Sequence, residues 1–299
     1  MTPAIPKTIE AYLEQLREAL AGADAALIQD ALYDAEEYLR SELAEHPGRG
    51  EADLLAEVAT SYGAPEEVAD IYRDKETQVQ EALRAPPPTA RRSPLGRFFA
   101  VGADPRAWAA LFYMILSLAT GIFYFTWAVT GTSLSLGLSV LIFGLPFATL
   151  FIATVRALSL VEGRLIEAMF GVRMPRRPLY ADRGKPLMAR IKGMFADPRT
   201  WSTLFYMVLM LPLGILYFTI AIVGVALSLE LLIGPILYAT TGFGFINFDD
   251  VSYGIPLWLE PLTLVLGAVL FCALLHLARG IGRVHGALAK QLLVKTAQY

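Results

Sequence analysis

Two stretches of 24 residues, Trp108–Gly131 and Trp201–Gly224, contain no Asp, Glu, Lys or Arg. At a rise of about 1.5 Å per residue each makes a helix about 35 Å long, enough to cross the hydrocarbon core of a bilayer. Both stretches open on nearly the same letters, DPRAWAALFY from Asp104 and DPRTWSTLFY from Asp197. With the two aspartates superposed at an offset of 93, 20 of the 33 positions through Leu136 and Leu229 are identical. Self-similarity of that density predicts an internal repeat.

The shared DPRxW frame reads as a device for entering a membrane. Asp104 and Asp197 suit helix N-caps, and Pro105 and Pro198 suit the first helical position, where a missing N–H costs nothing. Arg106 and Arg199 are expected on the basic side of the bilayer, with Trp108 and Trp201 in the aromatic interface belt. Leu187, Met188, Ile191, Met194 and Phe195 give the second copy an interfacial lead-in helix.

A second span follows in each copy, at about Leu134–Leu158 with Pro146 inside, and at about Leu257–Ala278. The 226–246 stretch is apolar enough to be a helix extension, a re-entrant segment or a fifth span. Charge argues against the fifth span. Ten Lys or Arg lie between Arg156 and Arg199, and Arg279, Arg283, Lys290 and Lys295 follow the last span. The connections on the other side hold only Glu230, Asp249 and Asp250. The positive-inside rule then predicts a multi-pass protein with four spans and both termini cytoplasmic.

The rest of the chain has a different character. Residues 1–85 carry 19 acidic and 7 basic side chains, whereas residues 86–299 carry 9 and 18, so the net charge of −3 conceals two unlike bodies. Apolar residues at Ile9, Tyr12, Leu13, Leu16 and Leu20 follow helical spacing. Asp24 suits the N-cap of a second helix, His46-Pro47-Gly48 breaks the chain, and a third helix is expected over Glu51–Ser61. Gly63 fits a helix C′ position and Pro65 the start of a fourth helix. Two readings of the acidic positions stand: solvated helix faces, the favoured one, and a docking surface for a basic partner. RAPPPTARRSP is then a proline-rich basic spacer, with Arg91, Arg92 and Arg97 placed to meet anionic headgroups.

The expected fold class is all-α: a small soluble helical bundle followed by a four-span membrane domain built from a duplicated two-helix unit. Its divisions are an acidic cytoplasmic helical domain at 1–85 and a linker at 86–98. A membrane domain follows at 99–295, made of repeat A at 99–171, a basic cytoplasmic loop at 172–192 and repeat B at 193–295. The N-terminus has no signal-peptide core, so no cleavage is expected.

Two resemblances sharpen this. YLEQLREAL…DALYDAEEYLRSEL and EVATSYGAPEEVADIY resemble the HAAS signalling domain of bacterial membrane proteins. That resemblance implies a partner such as a PadR-type transcription regulator, or an association with membrane transporters. DPRTWSTLFYMVLMLPLGILYFTIAIVGVALSLELL, its first-copy echo and LLHLARGIGRVHGALAKQLL resemble the bacterial sensor membrane domain often fused to histidine kinases. It implies a place in the bacterial inner membrane. No kinase lies within the 299 residues, so output is expected through the N-terminal module or a separate protein such as a kinase.

Catalytic chemistry finds no support. H-E-x-x-H, G-x-S-x-G and Walker A motifs are absent, and the single Cys272 excludes an internal disulfide. No enzyme activity, cofactor or metal is expected, and the acidic module opposes direct nucleic-acid binding. Beyond the DPRxW anchors, the candidate sensing residues are His276, Glu230, Asp249 and Asp250. His276 is an ionisable group near the inner end of a span, also readable as part of a snorkelling cluster with Arg279 and Arg283. The outer acids could line a ligand site or a wet loop. Arg173, Arg176, Arg177 and Arg183 are candidates for docking the acidic module. The function expected is a membrane sensor or regulatory protein that relays a cue to a cytoplasmic partner. The alternative is an accessory or scaffold subunit of a transporter complex. The bilayer is the first partner, and a homo-oligomer is open.

Overall fold

The structure, a computed structural model, describes residues 6–83, 93–141, 144–178, 187–241, 246–248, 251–253 and 257–294. It is helical apart from one small hairpin. The helices are α1 (Ile9–Ala19), α2 (Ala25–Glu45), α3 (Glu51–Ser61), α4 (Pro65–Leu83) and α5 (Pro94–Phe99). They continue with α6 (Pro105–Leu138), α7 (Gly144–Phe170), α8 (Leu187–Ala196), α9 (Pro198–Thr241) and α10 (Glu260–Leu293). Strands β1 (Ile246–Phe248) and β2 (Val251–Tyr253) pair antiparallel with Asn247 opposite Ser252. The chain divides into two compact units, one of residues 1–84, 131–204 and 288–299, the other of 85–130 and 205–287.

In the first unit, α1–α4 bury the residues whose spacing predicted them. Ile9, Tyr12, Leu13, Leu16 and Leu20 pack with Leu27, Ala31, Ala35, Leu39, Leu54, Leu55, Val58, Val68 and Ala69. Thr8 caps α1 by accepting from the Ala11 N–H, and Asp24 caps α2 by accepting from the Ala26 N–H at 2.9 Å. Gly63 has a φ of +111°, which an L side chain rarely adopts, and its carbonyl accepts from the Tyr12 hydroxyl at 2.9 Å. That bond ties the α3–α4 turn to α1.

The acidic faces are not uniformly solvated. Asp30, Glu36 and Glu76 are buried. Each has exchanged water for a cation, Glu36 for Arg40 at 2.8 Å and the other two for Arg173. Periodicity alone cannot show this, because it marks only which positions face the apolar core.

Four helices, α6, α7, α9 and α10, are long and apolar enough to cross a membrane. They turn large apolar side chains outward, among them Phe112, Ile122, Phe205, Ile215, Leu262 and Val265. Lipid tolerates such a surface and water does not.

The boundaries of the second span shift from expectation. Gly131-Thr132-Ser133 does not end the first span, since α6 runs on to Leu138 and α7 begins only at Gly144. Phe151 lies where a Cβ on Gly131 would stand, so this glycine serves close packing inside a helix. Pro146 falls in the first turn of α7, where its missing N–H has no intrahelical partner to lose. In α9 the 226–241 stretch is a helix extension, continuous through Pro212 and Pro235, and the 44-residue helix is about 66 Å long. Gly234-Pro235 does not break the helix, as a helix already held by its neighbouring turns absorbs a single lost hydrogen bond.

Candidate functional site

Three aspartates in N-cap positions share one arrangement, in which Oδ1 caps a helix and Oδ2 holds a cation. Asp104 Oδ1 accepts from the Arg106 N–H at 3.0 Å while Oδ2 takes Arg279 at 3.1 Å. Asp197 Oδ1 accepts from the Arg199 N–H at 2.9 Å while Oδ2 takes Arg156 at 2.8 Å. Asp24 caps α2 and pairs with Lys290. The aspartate of each DPRxW frame therefore caps a helix and also anchors a distant arginine. Pro105 and Pro198 are the first residues of α6 and α9. The indole N–H of Trp108 donates to Gly102 O at 2.8 Å, and that of Trp201 donates to Phe195 O at 2.9 Å. Both rings stay about half exposed, as interface anchors do.

Arg199 departs from its twin in the frame. It is buried and donates to Gln29 Oε1 of α2 at 2.7 Å. A residue expected only to sit on the basic side of the membrane thus grips the N-terminal bundle.

The bundle is gripped more tightly by residues 171–178, which follow α7 with no regular secondary structure. Arg173, 8% exposed, places Nη2 at 2.9 Å from Asp30 and Nε at 3.2 Å from Glu76, with Glu167 of α7 at 3.8 Å. Asp30 Oδ1 accepts from the backbone N–H groups of both Arg176 and Arg177 at 2.7 Å. Gln29 donates to Arg177 O at 2.6 Å, Arg177 pairs with Asp34 at 2.8 Å, and Arg176 pairs with Glu167 at 3.0 Å. Met174 is fully buried and meets Gly163 of α7. Burial raises the Asp30 pKa above the ordinary carboxylate value, with Arg173 and the two backbone N–H groups pulling it back down. Charge-assisted bonds of this number in a desolvated site make a strong, geometry-demanding contact. Arg183 lies outside the described residues.

In the second unit, His285 of α10 is fully buried between two tyrosines. Its Nε2 is 2.7 Å from the Tyr113 hydroxyl and 3.1 Å from the Tyr206 hydroxyl, and the Tyr217 ring stands edge-on at 5.6 Å. Tyr113 and Tyr206 occupy equivalent places, 93 residues apart, in the two DPRxW copies. Close by in sequence, Gly121 of α6 faces the Met210 backbone of α9, and Gly214 of α9 faces the Ser117 backbone of α6. A Cβ on either glycine would lie within 2.5 Å of a carbonyl oxygen, so the two helices touch backbone to backbone there.

Among the described residues, the candidate sensing residues His276 and Glu230 have separate neighbours. The ring of His276 stacks on Phe98 at 5.2 Å, with Nε2 3.1 Å from Phe98 O. Glu230 lies along α9 over Gly234, while Asp249 and Asp250 lie outside the described residues. Sequence reasoning missed Gln29, Asp30, Glu76 and Glu167 as partners of the arginines, and it missed His285. One signal for His285 was available. Val161-Glu162-Gly163 and Val284-His285-Gly286 recur 123 residues apart, like Arg156 and Arg279, and put a buried polar residue at the same place in each copy.

A family model described as "Putative sensor" matches residues 113–293. The chain belongs to that family. The match takes in α7, α8, α9 and α10, most of α6, and the 171–178 segment, so the sensor family region includes the arginines that hold the bundle. It begins at Tyr113, one of the two hydroxyls on His285. No curated protein and no solved structure matches the chain.

Proposed function

We propose that this chain is a sensor and regulatory protein of the bacterial inner membrane, which relays a membrane or extracytoplasmic cue to a cytoplasmic partner by protein–protein contact. The membrane-spanning helices receive the cue, and the N-terminal bundle, a HAAS-type module, is the relay. Both termini are cytoplasmic. The observation that carries this reading is the insertion of Arg173, from the segment directly following α7, among Asp30 and Glu76 of the bundle. A displacement of α7 would move Arg173 directly, and a buried ion pair either keeps its geometry or loses most of its energy. Such a contact behaves as a two-state latch.

The test neutralises Arg173, Arg176, Arg177 and Arg183 together in the full chain in nanodiscs. Protease cleavage of the 86–98 linker should accelerate severalfold, and the set of proteins co-purifying from native membranes should change. Unchanged cleavage and unchanged partners would overturn the relay. Recovery of a transporter in stable stoichiometric complex, indifferent to these substitutions, would establish the accessory-subunit role instead.

A further inference from the structure

The contact between residues 173–177 and the bundle has the chemistry of a receptor holding a peptide. Three donors from one short segment converge on Asp30, the Arg173 guanidinium on one oxygen and two consecutive backbone N–H groups on the other. Gln29, next to Asp30 in α2, also reads the backbone by donating to Arg177 O. Asp34 takes Arg177, whose guanidinium also lies over the Tyr33 ring at 5.8 Å, and Glu76 takes Arg173. The bonds to Asp30 and Gln29 from the backbone depend on the course of the main chain, which bends at Arg176 and Arg177, and not on particular side chains. The side-chain requirements reduce to an arginine at the first position and another four residues later. Any segment of that form that bends in the same way satisfies the same groups.

We propose that this face of α2 and α4 is a binding site for arginine-bearing peptides and that residues 173–177 are its internal occupant. The partner, on this inference, is a protein presenting an exposed segment of the form Arg-x-x-x-Arg, and it engages only when the tethered segment has left. The inference rests on the relay reading and names the chemistry of its partner. Charge complementarity supports the assignment, because residues 1–85 carry a surplus of twelve acidic side chains and would draw a basic segment through solution. Tethering supports exclusion, because an internal occupant acts at an effective concentration on the order of millimolar and outcompetes a free segment while it is seated. The site is thus autoinhibited by the membrane domain that reports the cue.

The experiment uses a fluorescent peptide copying residues 171–180, GVRMPRRPLY, and the full chain in nanodiscs. The Arg173→Ala/Arg176→Ala/Arg177→Ala chain should bind the peptide at least tenfold more tightly than the unsubstituted chain. Adding Asp30→Asn to that variant should weaken binding at least tenfold. The triple variant could fail to fold, so Arg173→Lys forms a second arm. It keeps the charge, loses the two-carboxylate grip, and should bind the peptide at least threefold more tightly than the unsubstituted chain. Equal binding by all chains, or binding indifferent to Asp30, overturns the peptide site. If linker cleavage still accelerates in the arginine variants, that failure leaves the relay standing.

Discussion

Arg279 Nη1 stands 3.1 Å from Asp104 Oδ2, a residue 175 positions earlier, and Arg156 repeats the arrangement with Asp197 at 2.8 Å. In each case the arginine comes from the second long helix of one half of the membrane domain and the aspartate caps the first long helix of the other half. The two halves hold each other's caps.

This division of labour between the two carboxylate oxygens predicts a difference between substitutions. Asp104→Asn and Asp197→Asn keep a capping oxygen and lose only a partly exposed ion pair, at a cost of about 0–1 kcal/mol each. Asp→Ala at either position removes the cap as well and should cost about 1 kcal/mol more. Thermal unfolding in nanodiscs, read by helical circular dichroism, should rank alanine clearly below asparagine.

Backbone contact at Gly121 and Gly214 should make both positions intolerant of any side chain. Ala at either site forces α6 and α9 apart and should destabilise by about 1–3 kcal/mol. Gly137, in the same helix α6, has nothing within 4 Å of a built Cβ. Gly137→Ala should therefore be neutral or stabilise by up to about 1 kcal/mol through helix propensity. Equal behaviour of the three variants in urea or heat would refute the close approach.

The two tyrosines on His285 should act non-additively. A single ring nitrogen offers one lone pair or one proton, so removal of one hydroxyl lets the other take its place. Tyr113→Phe and Tyr206→Phe should each cost about 0.5–1.5 kcal/mol, with Tyr113→Phe the larger because its bond is shorter. The double variant should cost more than the two together, and a double-mutant cycle measures the excess.

Arg173 and Arg164 carry the same charge in different settings. Arg173→Ala leaves Asp30, Glu76 and Glu167 buried without their shared cation and should destabilise the first unit by about 3–5 kcal/mol. Arg164 is exposed, and Arg164→Ala should stay within about 0.5 kcal/mol. Hydrogen exchange in α2 and α4 would register the first change and pass over the second.

The legible parts of this protein are those encoded within a few residues. The start and end of α3, the cap at Asp24, the turn at Gly63-Ala64-Pro65 and the entry at Asp-Pro-Arg-x-Trp follow from spacing and from residue types with narrow backbone preferences. Length and hydropathy mark four helices that could cross a bilayer for the same reason. Boundaries were less legible where a glycine could serve either a turn or a close contact. Gly131 closes an uncharged stretch and by type suits a turn, and only the presence of Phe151 beside it reveals the contact.

Sequence by itself determined which segments are helical, which helices suit lipid, and that Asp104 and Asp197 begin them. Only the tertiary structure decided that those aspartates also hold Arg279 and Arg156, that Asp30 faces Arg173 rather than water, and that His285, not His276, is the fully buried histidine. The physical reason is range. Caps and periodicity act within one or two turns of the chain, whereas an ion pair or a buried hydrogen bond depends on which distant residue folding brings within 3 Å.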